Sequence, residues 1–392
     1  MSAARTFAYL ADGRLFLVEP NQQPQLLESK FVQAAMDRRE AAQQRGAWRS
    51  KGMMWNFNQT AGVEAALAQH TDQLPVRFTG VAPGEQPGDL YYTLVNNTIG
   101  GLFLLDTNQD YERRLLHRQS LELRDIARCP QDGNLACSLP QQDGAVNLAI
   151  MEPDGGKLHE ITAGDSVDEM PAWAPGDRRR LVFQSAGLGR NQHGGIFGQS
   201  PYAVQQLDLD QDRMTTLLEN DAFDCLMPRL AADGSLYYIR RPYQLKPGTS
   251  PWRVSLDILL FPYRLGRALF HFLNIFSMIY SQKPLTTAGG PKREGPDTKQ
   301  LFIWGRLVDI NRNARAARGD SDRPIAPRDW QLHCRRPDGQ EDCIATNVLA
   351  YDLGADGSVL YTTGRTVHLR KPEGETTRVA SAPLIERVTL LT

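Results

Sequence analysis

The sequence has few cysteines, no excess of charge of either sign, and none of the short motifs that mark common catalytic centres. Each absence removes a class. The five cysteines, Cys129, Cys137, Cys225, Cys334 and Cys343, contain no Cys-x-x-Cys pair, so no zinc ribbon or dithiol redox motif is written into the chain. Cys129 with Cys137, and Cys334 with Cys343, each flank a turn. The expectation is buried, reduced thiols. Lysine and arginine total 44 against 45 acidic residues, a net charge of -1, which excludes a whole-molecule electrostatic grip on nucleic acid or anionic lipid. There is no Gly-x-Ser-x-Gly elbow, no His-Glu-x-x-His and no P-loop. The seven histidines, His70, His117, His159, His193, His271, His333 and His368, are scattered rather than clustered. The opening residues, MSAARTFAYLADGRLFLVEP, lack the basic start and apolar run of a secretory signal, so the expected compartment is the cytoplasm. No cofactor is expected.

What is present is a repeated strand–turn–strand grammar. The stretch SVDEMPAWAPGDRRRLVFQSAG, residues 166–187, reads as a strand, a Pro-Gly-Asp turn and a second strand rich in branched and aromatic residues. The same pattern begins at Ala8, Ala127, Pro228 and Ala350, with a weaker copy at Gly80. Third and fourth strands follow in AVNLAIMEPDGGKLHEIT and AVQQLDLDQDRMTTLLE. Four short strands per unit describe a propeller blade. The turn markers are Gly13, Asp89, Gly133, Asp177, Gly234 and Gly357, and the steps from Asp89 to Gly133 and on to Asp177 are both 44 residues. The markers predict an all-β, six-bladed β-propeller occupying residues 1–392 as one domain. The C-terminal PLIERVTLLT reads as a lone first strand. The N-terminal segment reads as a blade lacking one, so pairing of the two ends is expected to shut the ring and hide a strand edge.

The pattern Asp168-x-x-Pro171-x-Trp173-x-Pro175, followed by Leu181 to Phe183, resembles the TolB-type propeller repeat, as does Met227-Pro228-Arg229 through Tyr238. The resemblance spans about two thirds of the chain. It implies the propeller fold and no particular chemistry, because that fold hosts many activities. The chain departs from periplasmic TolB proteins in lacking a secretory start and in carrying insertions.

Two segments interrupt the β grammar. Residues 29–74 contain FVQAAMDRREAAQQ, rich in helix formers, with Ser29 as the N-cap and Phe31, Ala34, Ala35 and Arg38 at helical spacing. The expectation is a helical flap on the ring, with a partner-binding arm as the alternative. Residues 243–328 open the fifth blade. A helix is expected from Ser250-Pro251, broken at Pro262. Beyond Tyr263, the polar residues Arg264, Arg267 and His271 line one side of a helix, while Phe272, Phe276 and Ile279 belong to a broad apolar arc. The run between Arg267 and Lys283 is too short to cross a membrane. That helix is expected to dock on a protein partner, a second copy or the propeller itself, with a membrane surface as a further possibility. QLFIWGRLVDINRNARAARGD reads as a strand or helix ending in a basic stretch with Arg306, Arg312, Arg315 and Arg318 near one side.

Chemistry is thinly marked. The glycine-rich loop from Gly187 to Gly198 would let backbone amides approach an anion, with Arg190 and His193 assisting. Asp168 and Glu169 precede the innermost strand of their blade and are the weak candidates for a divalent cation at a channel mouth. The leading expectation is a non-catalytic scaffold. The alternatives are a hydrolase or lyase using such a cation, and a propeller attached to a membrane surface.

Overall fold

The structure is a computed structural model that describes residues 5–34, 37, 76–96, 99–191, 195–243, 300–303, 306–309 and 323–391. The chain divides into two units, residues 1–243 with 319–392, and residues 244–318. In the first unit nearly all regular structure is antiparallel strand.

Four-stranded sheets build that unit. The first joins β1 (Phe7–Ala11), β2 (Arg14–Val18) and β3 (Gln25–Leu27) to the last strand, β27 (Arg387–Leu390), in the order β27-β1-β2-β3. The second is β4 (Arg77–Pro83), β5 (Asp89–Val95), β6 (Ile99–Asp106) and β7 (Tyr111–Gln119). A meander of β8 (Arg124–Arg128), β9 (Leu135–Pro140), β10 (Val146–Met151) and β11 (His159–Glu160) comes next. It meets a meander of β12 (Ser166–Trp173), β13 (Arg180–Arg190), β15 (Ala203–Asp208) and β16 (Arg213–Leu218) through a single parallel bridge, Val146 to Val167. The short β14 (Ile196–Gln199) folds back on the end of β13. Then follow β17 (Phe223–Leu230) and β18 (Leu236–Pro242) with β21 (Gln331–Arg335) and β22 (Glu341–Thr346). The last sheet is β23 (Ala350–Leu353), β24 (Val359–Thr362), β25 (Thr366–Arg370) and β26 (Thr376–Ser381). In the second unit, the described residues form a hairpin of β19 (Gln300–Ile303) and β20 (Arg306–Asp309).

Inner strands are buried along nearly their whole length, as in Leu90–Leu94 and Val146–Met151. Outer strands carry the charge, as in Tyr111–Gln119 with Arg113, Arg114 and Arg118. Both faces of the inner strands are therefore covered by neighbouring sheets. Tyr91 and Leu102 pack with Leu135, Cys137 and Met151. Ala136 and Leu148 meet Leu181 and Phe183. Val204 meets Cys225, Leu236 and Tyr238, while Leu360 and Val367 meet Tyr9 and Val388. Each fully buried large apolar side chain contributes roughly 1.5–3 kcal/mol. The first strand of each sheet touches the first strand of the next: β4 with β8, β8 with β12, β12 with β17, β17 with β23, β23 with β27, and β27 with β4.

Several expectations need correction. The Gly13 turn joins the second and third strands of its sheet, whereas Gly133, Gly234 and Gly357 join first to second, so Gly13 is one strand out of phase with the other markers. The two kinds of turn differ: Asp12 and Gly13 are both left-handed and form a two-residue hairpin, whereas at Gly133, Gly234 and Gly357 only the glycine of the Asp-Gly pair is left-handed, within a longer turn. Cys343 is exposed; the other four cysteines are buried and all five are free. Of the strand or helix expected for QLFIWGRLVD, Arg306 takes the strand form and begins β20. The chain turns helical at residues 30–34, where Ser29 caps it as expected through Val32 N–H to Ser29 Oγ at 3.4 Å. The rest of the expected helices, with Arg264, Arg267, His271, Phe272, Phe276, Ile279, Arg312, Arg315 and Arg318, lies outside the described residues.

The pairing of β27 with β1 runs from Phe7–Leu390 to Leu10–Arg387. A chain ending at Glu386 leaves β1 unpaired on that side. Such a truncation is expected to lower the melting temperature by on the order of 10 °C and to increase aggregation, measured by calorimetry and light scattering.

Candidate functional site

The first strands of three sheets carry a β-bulge whose central residue is left-handed without being glycine. These residues are Asp125 (φ 55°), Met170 (φ 58°) and Met227 (φ 54°). Such backbone costs on the order of 1 kcal/mol per residue and releases polar groups from the ladder. Neighbouring sheets supply the partners. Met227 N–H donates to Gln184 Oε1 at 2.9 Å, and the Tyr351 hydroxyl donates to Met227 O at 2.7 Å. Trp173 Nε1–H donates to Ala127 O at 3.1 Å, so the tryptophan of the repeat pattern ties its sheet to the one before.

At the Asp125 and Met170 bulges, three sheets converge on one polar cluster. Arg387, the first residue of β27, forms an ion pair with buried Asp125 of β8, and its Nη1 lies 2.6 Å from Met170 Sδ of β12. Glu169, beside Met170, accepts from the Tyr202 hydroxyl at 3.2 Å and from Gln184 Nε2 at 3.3 Å. Its carboxyl is pushed up to about 7, mainly by burial and secondarily by repulsion from Asp125, against the opposing charges of Arg124 and Arg387. Asp168 is buried and accepts from Ser185 Oγ at 2.7 Å. Both acids sit inside β12, not before it. Among the described residues no group of three or more His, Cys, Asp or Glu is gathered as a metal site.

The cluster lies where first strands begin. Antiparallel alternation brings to that end the turns between second and third strands and the links from fourth strands to the next first strand. The β3–β4 link, the β13–β15 loop and the long β18–β21 connection all leave there. Arg190, the last residue of β13, is committed to carboxylates: its Nη2 lies 3.0 Å from Asp143 Oδ2 and its Nε bonds Asp165. His193 lies outside the described residues.

The stems of the connections are anchored. Arg241, the penultimate residue of β18, forms a buried ion pair with Asp224 at 2.8 Å, and its guanidinium lies 5.2 Å from the ring centroid of Trp330, just before β21. At the other departure, Glu112 accepts from Lys30 N–H at 3.0 Å, Phe31 N–H at 2.9 Å and the Tyr92 hydroxyl at 2.6 Å. A carboxylate at a helix start satisfies amides that have no intrahelical partner. Only the Ser29 part of this anchor had a sequence signal, because Glu112 comes from another sheet.

No protein-family model matches the sequence, and no curated protein matches it. Solved structures do. TolB from Acinetobacter baumannii superposes over 99% of this chain and 67% of its own, at 10% identity and a TM-score of 0.50. The fold is a TolB-like β-propeller. The nidogen/laminin complex aligns over 99% of this chain and 98% of the matched chain, at 9% identity and a TM-score of 0.49. A putative TolB from Agrobacterium tumefaciens aligns over 81% and 91%, at 13% identity and a TM-score of 0.43. No helix of the propeller's described residues is long and apolar enough to cross a membrane.

Two predictions follow from the cluster. Glu169 has a raised pKa, so its contribution to stability is complete below the ordinary value of 4.5 and is lost as pH rises through about 7. Glu169→Gln is expected to match the parent near pH 5 and to exceed it by roughly 1–3 kcal/mol at pH 8.5 in urea unfolding. Arg387→Met strands the buried Asp125 charge and is expected to cost about 3 kcal/mol, most of it recovered when Asp125→Asn is added, in a double-mutant cycle.

Proposed function

We propose that this chain is a six-bladed propeller, its ring shut by β27 on β1, that acts as a non-catalytic platform for a protein partner or a second copy. The cycle of first-strand contacts supports the ring. One observation carries the platform: the long β18–β21 connection departs from the end where first strands begin, at a stem fixed by Arg241 and Trp330. A rigid stem delivers a variable segment to that face, as loop-borne recognition requires. The residues proposed to make the contact are Arg264, Arg267, His271, Phe272, Phe276 and Ile279. The acids at the same end are engaged with Arg387, Tyr202 and Ser185, which suits a structural role for them better than catalysis. The proposed compartment is the cytoplasm, on the strength of five free cysteines.

The test is the double change Phe272→Asp with Phe276→Asp. It is expected to weaken a stoichiometric complex or self-association at least about tenfold by sedimentation, with the melting temperature of the propeller kept. Complexes that survive the change unaltered overturn the platform. Elemental analysis addresses the enzyme alternative: one divalent ion retained per chain and lost with Asp168→Asn would replace this reading.

A further inference from the structure

A second site lies at the opposite end of the sheets, among the turns that join first to second and third to fourth strands. There the seam between the β12–β16 sheet and the sheet of β17, β18, β21 and β22 opens into a groove of about 390 Å³. Leu217, Leu230, Leu236 and Pro337 give it apolar walls, continuous with the buried Val204, Cys225 and Tyr238. Arg336 also lines it, and two further arginines, Arg180 and Arg335, enter the same groove from the two sheets.

These arginines differ from their neighbours. Arg179 is neutralised by Asp210 at 2.9 Å and lies 3.5 Å from Asp132. Arg336 is neutralised by Asp342 at 2.7 Å. The side chains of Arg180 and Arg335 have no carboxylate among the described residues, and Arg180 Nε is buried with no hydrogen-bond partner. Arg180 is also out of keeping with the repeat. Its carbonyl accepts from Ala174 N–H at 2.8 Å to close the first turn, as Asn134 does for Cys129, Ser235 for Ala231 and Ser358 for Gly354. An arginine thus stands where three other sheets carry a small polar residue.

An unpaired guanidinium nitrogen shielded from water is costly, and a second unpaired cation in the same groove adds to that cost. An anion removes both costs, and a carboxylate matches the fork of donors that a guanidinium presents. We propose that this groove binds a small amphipathic carboxylate, an aliphatic or aromatic acid whose carboxylate sits between Arg180 and Arg335 and whose apolar body lies on the leucine wall. The site is separate from the proposed platform, and its success or failure does not bear on it.

The test uses the full chain with hexanoate and 3-phenylpropionate, with hexanamide and acetate as controls, followed by ligand-observed NMR titration. The two acids are expected to bind saturably and at least about tenfold more tightly than hexanamide or acetate. Arg180→Gln and Arg335→Gln should each weaken the acids about tenfold, while Arg179→Gln, outside the groove, leaves them unchanged. Melting temperatures establish that each variant is folded; if Arg180→Gln is not, Arg335→Gln from the other sheet decides. Equal affinity for hexanoate and hexanamide overturns the proposal, as does unchanged binding in a folded Arg180 or Arg335 variant, or no saturable binding of either acid.

Discussion

Strand β1 would be a sheet edge if the chain stopped before β27. Its five residues are buried, so an open edge there would present hydrogen-bonding groups beside apolar side chains. Strand β27 covers it with backbone pairing from Phe7 to Leu10, and Ile385, Val388 and Leu390 complete the core against Leu360 and Val367 of the last sheet. Residues separated by nearly the whole chain are thus the closest of neighbours. Every other sheet gains from this, because an inner strand such as β10 needs a covering layer on each face and cannot be stable alone.

Polar contacts between sheets follow from the same packing. A bulge in a first strand frees backbone groups, and those groups are buried, so each needs a partner from the next sheet. Gln184 and Tyr351 supply them at Met227, and Trp173 does so for Ala127. Arg387 extends this to three sheets by pairing with Asp125 and touching Met170. A single guanidinium therefore couples β27 to two bulges. The buried Glu169 sits against this arrangement with a raised proton affinity, which makes the cluster sensitive to pH near neutrality.

The two ends of the sheets are unlike. One carries the long β18–β21 connection on a stem braced by Arg241 and Trp330. The other carries short turns, among which Arg180 and Arg335 stand without counter-charges among the described residues. A propeller separates such features easily, because alternate loops of an antiparallel meander always emerge on opposite sides. The proposed platform and the proposed carboxylate groove use that separation.

Four-strand units were legible in the sequence because turn residues and branched strands are local signals. The spacing of Asp89, Gly133 and Asp177, and the match of Pro171 and Trp173 to a repeat, required no knowledge of distant contacts. The capping role of Ser29 was equally local, and so was the reading of the last strand as one lacking its sheet. Gly13 misled, since an Asp-Gly pair reads alike in a two-residue hairpin and in the longer turns at Gly133, Gly234 and Gly357. The partners of Arg387, Glu169, Arg190 and Glu112 were not legible, because each lies in another sheet or across a turn that brings distant segments together. Sequence determined which segments are strands and where they turn, through short-range steric and hydrogen-bonding preferences. Only the tertiary structure decided which charges meet and which, like Arg180, are left without a partner among the described residues, because ion pairing depends on a few ångströms of separation between residues that the chain itself places far apart.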